Sequence, residues 1–182
     1  MEVATSRPLR KIKKWGGKVM LRPAQLYEEK LQKANIETWY DLKNQYWNGW
    51  CCANKIKLED NNSEYHQFVS VDKDDNVIGY ICYYVNWTTK SVCNFGMISF
   101  AKGNMQFITD LKKVVTDCFY KYSMNRLEFK AYADNPVIRC YRSYIKKYGG
   151  RECGYLRKDT MLMDGKLHDS VLFEILREDL KL

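Results

Sequence analysis

Residues 91–133 constrain this chain more than any other stretch. "SVCNFGMISF" alternates as a strand does, and "NRLEFKAYA" alternates again. Between them, "GNMQFITDLKKVVTDCFYKYS" places Ile108, Leu111, Val115, Cys118, Phe119 and Tyr122 on one helical face. Strand, helix and strand in that order predict a βαβ unit, with parallel strands and a right-handed crossover. Parallel neighbours end side by side, and ligands of open α/β sheets bind in the crevice at their carboxyl ends. The first strand runs out at the Gly103 turn and the second at Asn135. Groups bound at the two ends would therefore be close together.

The flanking sequence supplies the other elements. "KVMLRPA" (18–24) reads as a short strand stopped by Pro23, which cannot sit in a central ladder. From Ala24 to about Gly49 the apolar period is helical, with Asn35 and Thr38 placed to divide it into two helices. "YHQFVSV" and "NVIGYICYYVNW" flank the turn "DKDDN" and lead into "SVCNFGMISF", an antiparallel meander. Gly96 inside that third strand predicts a bulge or the close approach of another segment. After the βαβ unit, Asn135 at N-cap, Pro136 at the first helical position and Gly149 past the end bracket another helix. "RECGYLRKDTMLM" and "HDSVLFEIL" form a closing hairpin around "DGK". The expected fold class is mixed α+β. It has a mostly antiparallel sheet of about seven strands, one parallel pair and about four flanking helices.

The chain has 182 residues, 46% of them hydrophobic, enough to bury a core without disulfides. Seven cysteines form no C-x-x-C pair and His66 and His168 are the only histidines, so no metal site is expected. The cysteines fall among apolar neighbours, where reduced thiols act as small hydrophobes. No run of roughly 20 apolar residues is present to span a bilayer. The amino-terminal residues lack the apolar segment of a secretory signal, and a cytoplasmic location is expected. The net charge is +8, and Arg7, Arg10, Lys11, Lys13, Lys14 and Lys18 face only Glu2 among the first eighteen residues. Residues 1–17 are read as a basic tail or arm ahead of a single domain over 18–182. Apart from Trp15 the arm lacks the interleaved aromatics of nucleic-acid contacts, so nucleic acid is not the expected partner.

Two features carry chemistry. "MISFAKGNMQF" runs a strand through a glycine turn into a helix start, where orphan amides, the helix dipole and Lys102 suit an anion. In the second, Val137, Ile138, Tyr141, Tyr144, Ile145 and Tyr148 form one helical stripe, with Arg139, Arg142, Ser143, Lys146 and Lys147 opposite. Such a stripe packs a helix on a sheet in its own right. It also brings phenols to the end of the second parallel strand.

The element order, and "DNPVIRCY…KKYGGRECG" above all, resembles the GCN5-related N-acetyltransferase family. That family's helix and following strand read Asn-Pro-…-Ala-Ile-Arg-Leu-Tyr-Glu-Lys-Leu-Gly-Phe-Arg-Glu-Val-Gly. "LRPA", the helical pair after it and "GYLRKDTMLMDGKLHDSVLFEILRED" are similar to the ribosomal-protein N-acetyltransferase branch. The resemblance covers 18–182. It implies acetyl-CoA as co-substrate, a primary amine of a peptide or small molecule as acceptor, and direct transfer without an acyl-enzyme cysteine. It also implies a splay between the parallel strands.

Tyr141 takes the place of the family's general acid. The helix carries about one extra turn before Gly149, and alignment on the glycines instead moves that place to Ile145, beside Tyr144. Both tyrosines therefore stand as catalytic candidates. The resemblance further implies that Asn135 faces the coenzyme and that Met97, Ile98 and Ser99 pair with its pantetheine arm. Lys102, Gly103, Asn104, Met105 and Arg139 are the remaining expected coenzyme contacts. The family's pyrophosphate loop, Gln/Arg-x-x-Gly-x-Gly/Ala, survives here only at Gly103, with Phe100 and Met105 at the other two positions. These departures sustain an alternative: the same fold as a catalytically weak or inactive binding module working through its basic arm. Glu128, Asp134 and His66 are the candidate bases.

Overall fold

The computed structural model describes residues 18–48, 53–60, 63–101 and 103–181, so the basic arm, Gly49 and Lys102 lie outside the described residues. Three antiparallel strands form its platform: β2 (Tyr65–Val71), β3 (Val77–Asn86) and β4 (Ser91–Ser99). β1 (Leu21–Pro23) lines the outer edge of β2 and ends at the expected proline. A 3-10 turn over Ala24–Tyr27 then leads into α1 (Glu28–Ile36), and a second over Leu42–Asn44 leads into α2 (Gln45–Asn48). The break between the helices falls at the expected place, where Thr38 donates its hydroxyl to Asn35 O at 2.7 Å.

α3 (Met105–Tyr120) carries the chain from β4 to β5 (Arg126–Tyr132), which runs parallel to β4. α4 (Val137–Tyr148) follows, then β6 (Arg151–Met161) and β7 (Leu167–Leu176). The seven strands lie in the order β1-β2-β3-β4-β5-β7-β6. Side chains alternate across the sheet as the pleat requires. On β3, Ile81, Tyr83 and Val85 join Val114, Cys118 and Phe119 of α3, whereas Tyr80 and Cys82 join Ala24 and Leu31 on the α1 face. α4 seats Ile138 on Ala131, Val171 and Phe173 of the β5–β7 half.

Two devices hold helices to the sheet. Gly79 makes room for α3, because a Cβ there would stand 2.2 Å from the Phe107 ring. The buried Asp110 carboxylate accepts from Met20 N at 2.9 Å, Ser70 Oγ at 2.6 Å and Gln106 Nε2 at 3.0 Å, tying α3 to β1 and β2. Among the described residues, 54–59 pair with no strand, and amide side chains satisfy their backbone instead. Asn35 donates to Asn54 O at 2.8 Å, Gln32 to Ile56 O at 2.7 Å, Gln67 to Lys57 O at 2.9 Å and Gln25 to Glu59 O at 2.9 Å.

The parallel pair is joined only at Ser91–Arg126 and Val92–Leu127. Beyond those residues β4 stays with β3 and β5 with β7, and the sheet opens between them. The bulge in β4 lies at Asn94 and Phe95, which together face Tyr83, and Asn94 has φ 51°. It therefore sits before Gly96, not on it. Asparagine is one of the few residues that tolerate the left-handed region, so no glycine is needed at the bulge. Gly96 serves close approach: a Cβ there would lie 3.0 Å from Cys82 Sγ and 3.8 Å from the Trp47 ring.

Asp110→Ala is expected to orphan the Met20 amide and the Ser70 hydroxyl in the interior. We expect a loss of about 3 kcal/mol in urea unfolding, since each buried unmet donor costs roughly 1–3 kcal/mol. A loss no larger than that of an exposed substitution would remove Asp110 from the core architecture.

Candidate active site

The opening between β4 and β5 is a slot of about 150 Å³. Gly96 and Met97 line it from β4, Phe129 and Ala131 from β5, and Asn135 and Tyr141 from the start of α4. Tyr46 and Trp47 close it from α2. Asn135 reaches this position because its Oδ1 accepts from Val137 N at 3.0 Å, capping the helix and fixing its own amide beside the slot. Gly149 ends the same helix with φ 97° and donates to Ile145 O at 2.9 Å.

Tyr141 and Tyr144 part company in space. Tyr141 meets Phe129 edge-on at 5.1 Å and Phe173 at 5.8 Å while lining the slot. Burial raises its phenol to about 12. Among the described residues its hydroxyl has no hydrogen-bond partner. Tyr144 points to the groove between α3 and α4, where its ring lies 4.6 Å from that of Tyr148, and burial raises it also to about 12. Arg139 and Lys112 line this groove of about 420 Å³, so Arg139 stands outside the slot.

At the β4–α3 turn, Gly103 has φ 66°, and a Cβ added there would meet nothing within 4 Å, so the turn is open. Asn104 caps α3, its Oδ1 accepting from Gln106 N at 2.8 Å and Phe107 N at 3.4 Å. Those two amides are thus taken by the chain itself. Among the described residues nothing accepts from the amides of Gly103, Asn104 or Met105, and Met105 is exposed. Along β4, Ile98 is buried on the α1 face, and Ser99 is exposed with its hydroxyl on Ala101 O at 2.8 Å. Ile98 and Ser99 pair with Tyr80 and Gly79 of β3 on one edge, leaving the other edge toward the opening.

The candidate bases scatter. His66 is held under α3, its ring 4.9 Å from Tyr83 and 5.6 Å from Tyr122, and burial lowers its pKa. Glu128 lies on the α1/α2 side of the opening, in a depression of about 430 Å³ that also includes Asn94 and Phe129. Asp134 is engaged: its Oδ2 is 2.7 Å from His168 Nδ1. His168 Nε2 meets both Asp164 oxygens at 3.0 and 3.1 Å, which links the β5–α4 turn to the β6–β7 turn. Sequence reasoning missed this bridge because Asp134 lies 34 residues before His168 and nothing local links it to the Asp164–His168 pair. Among the described residues no helix is long and apolar enough to cross a membrane. No group of three or more His, Cys, Asp or Glu among them could hold a metal ion.

A sheet in this order, splayed at its parallel pair and flanked, among the described residues, by α1 to α4, is the fold of the GCN5-related N-acetyltransferases. Solved structures of similar fold include the spermidine/spermine N-acetyltransferase SpeG from Vibrio cholerae. It is 21% identical at a TM-score of 0.55, over 64% of this chain and 68% of that one. The dodecameric spermidine N-acetyltransferase from Vibrio cholerae in an intermediate state is 20% identical at 0.56, over 64% and 67%. A chimera of SpeG with hSSAT is 20% identical at 0.55, over 64% and 70%. These neighbours lend the ribosomal-protein branch no support. No family model matches the sequence, and no curated protein matches it.

The His168 bridge is pH-dependent. The hydrogen bond that the imidazolium donates to Asp164, then that to Asp134, raises the imidazole above its ordinary 6.5, and His168 in turn lowers Asp164 below 3.8. The histidine's contribution is complete below about pH 6.5 and is lost as pH rises through its raised native pKa. Asp164 contributes above about pH 3.8 and loses its share as pH falls through its depressed pKa. Urea midpoints for the protein and for His168→Gln should therefore converge between neutral and alkaline pH. Parallel curves would mean that the bridge does not form in solution.

Proposed function

We propose that this protein is an acetyl-CoA-dependent N-acetyltransferase that passes the acetyl group directly to a primary amine. The observation that carries the reading is the slot: a parallel pair joined at two positions and then open, with Asn135 and Tyr141 on its wall. A pantetheine arm is long, narrow and studded with amides. The free edge of β4 along Met97, Ile98 and Ser99 offers it backbone partners that no neighbouring strand uses. The open Gly103 turn, with the amides of Gly103, Asn104 and Met105 at the positive end of α3, suits the pyrophosphate. Arg139 and Lys112 place positive charge along the groove between α3 and α4, where a further phosphate is matched electrostatically. Lys102 belongs to the same expectation, outside the described residues.

The acceptor nitrogen forms the new C–N bond at the thioester carbonyl and the C–S bond breaks. Tyr141 donates its proton to the departing thiolate. Its phenol, near 12, is a weak acid against an aqueous thiol, but desolvation in the slot raises a thiolate's basicity as well as a phenolate's, so the match is kept. An amide on the free edge of β4 stabilises the carbonyl oxygen as charge builds on it. Glu128, at the opposite mouth of the opening, accepts the proton the amine loses, directly or through water. Tyr144 lies in the groove and has no part in the chemistry. The neighbours named above are described as acting on spermidine and spermine, which agrees with an amine acceptor and leaves its kind open.

Acetyl-CoA at about a hundred times its Kd should raise the stability by about 2.7 kcal/mol, read as a thermal shift. Its absence at millimolar ligand would favour the binding-module reading, which the loop departures at Phe100 and Met105 keep in view. Tyr141→Phe should lower kcat on the order of 10²-fold with the acetyl-CoA shift unchanged, while Tyr144→Phe keeps kcat near wild type. The reverse pattern would transfer the acid to Tyr144.

A further inference from the structure

A larger pocket, about 540 Å³, lies on the α1/α2 face and ends at the Asn94 bulge. Trp47, Tyr65, Tyr80 and Tyr84 wall it, and Trp47 is shared with the slot, so a ligand here reaches the place where the slot begins. Its volume falls in the range of roughly 300–1,000 Å³ that holds small organic ligands. Trp47 meets Tyr80 edge-on at 5.9 Å and 74°, which leaves ring faces and edges toward the cavity. The floor is uncharged: Tyr80 is buried with its hydroxyl accepting from Gln67 Nε2 at 2.6 Å, and burial keeps the Cys82 thiol protonated.

The charges on the rim decide what enters. Among the described residues they are Lys55, Lys57 and Glu59, and Lys57 Nζ is 2.9 Å from Glu59 Oε1. Glu59 is thereby balanced, and Lys55 leaves the lining residues themselves net positive. A monoamine loses its charge before it attacks, and the rest of it needs only apolar, flat contact. A polyamine would keep a second ammonium in this cavity, against Lys55, where the lining carboxylate Glu59 is paired with Lys57 and the adjoining Glu64 is engaged by the Tyr84 hydroxyl at 2.8 Å. We infer that the acceptor is a primary amine on a short tether from a flat aromatic ring, bound among Trp47, Tyr65, Tyr80 and Tyr84. The inference rests on the transferase reading and departs from the spermidine acceptors of the structural neighbours.

The test is CoA release by the full chain with acetyl-CoA and tryptamine, phenethylamine, spermidine or a lysine-containing peptide. The aromatic amines should exceed spermidine and the peptide in kcat/KM by about tenfold or more. Tyr84→Leu should raise KM for tryptamine about tenfold while the acetyl-CoA thermal shift stays in place. Lys55→Glu should move the preference toward spermidine. A wild-type preference for spermidine or the peptide overturns the inference. If acetyl-CoA binds but no amine is acetylated, the transferase reading fails by itself and calorimetry with phenethylamine judges the pocket. Saturable binding weakened by Tyr84→Leu then supports it, and no binding overturns it.

Discussion

The structure turns on how briefly β4 and β5 touch. Two residue pairs hold them together, and past Val92 and Leu127 each strand keeps only its outer neighbour. Leaving strand edges unpaired inside a sheet is costly, at about 1–3 kcal/mol for each buried group without a partner. The cause of the opening is local. With φ 51° at Asn94, a bulge of this kind bends β4 and strengthens its twist, while β5 keeps unbroken register with β7 from Arg126 to Tyr132. The gap is then kept by rings. Phe95 stacks on Tyr83 at 5.9 Å, and Phe129 lies stacked on Phe173 and edge-on to Tyr141. Neither strand can swing back to pair without displacing aromatic side chains from the core.

Under the proposed mechanism, packing and chemistry are not rival accounts of Tyr141. Its ring is held by Phe129 and Phe173 as any stripe residue on a helix would be. The same contacts fix its hydroxyl at the slot wall, and positioning is most of what a proton donor asks of a protein. Tyr144, one turn on along the same stripe, packs against Tyr148 and lines the groove between α3 and α4 instead.

The strand and helix order was legible because each signal is local: alternation, a helical period, an Asn-Pro start, a glycine end. Tyr141 and Tyr144 could not be separated, since both satisfy the helical period and only the sheet's gap distinguishes them. Gly96 drew attention as a bulge because glycine is the common mark of positive φ, yet the bulge uses asparagine and the glycine admits Cys82 and Trp47. The segment 54–59 was harder still. What fixes it are side chains of Gln25, Gln32, Asn35 and Gln67, and no pattern within the segment reports partners so distant.

The poor match of the β4–α3 turn to the family's loop is less damaging than it looks in the sequence. A phosphate on a helix start is bound by backbone N–H groups, which every residue but proline carries. What the backbone must supply is a positive φ and clear approach, and Gly103 supplies both, at 66° with open space around it. The family's Gln/Arg, replaced here by Phe100, would add a polar contact around that frame, and its Gly/Ala, replaced by Met105, would add clearance; neither creates the frame. Asn104 takes a share of the helix start for its own cap, so on the proposed reading fewer amides are left for an anion and the charge of Arg139 and Lys112 carries more of the burden. On the proposed reading, donor and acceptor approach from opposite faces of one sheet, and those faces meet where β4 and β5 part, between Asn94 and the slot.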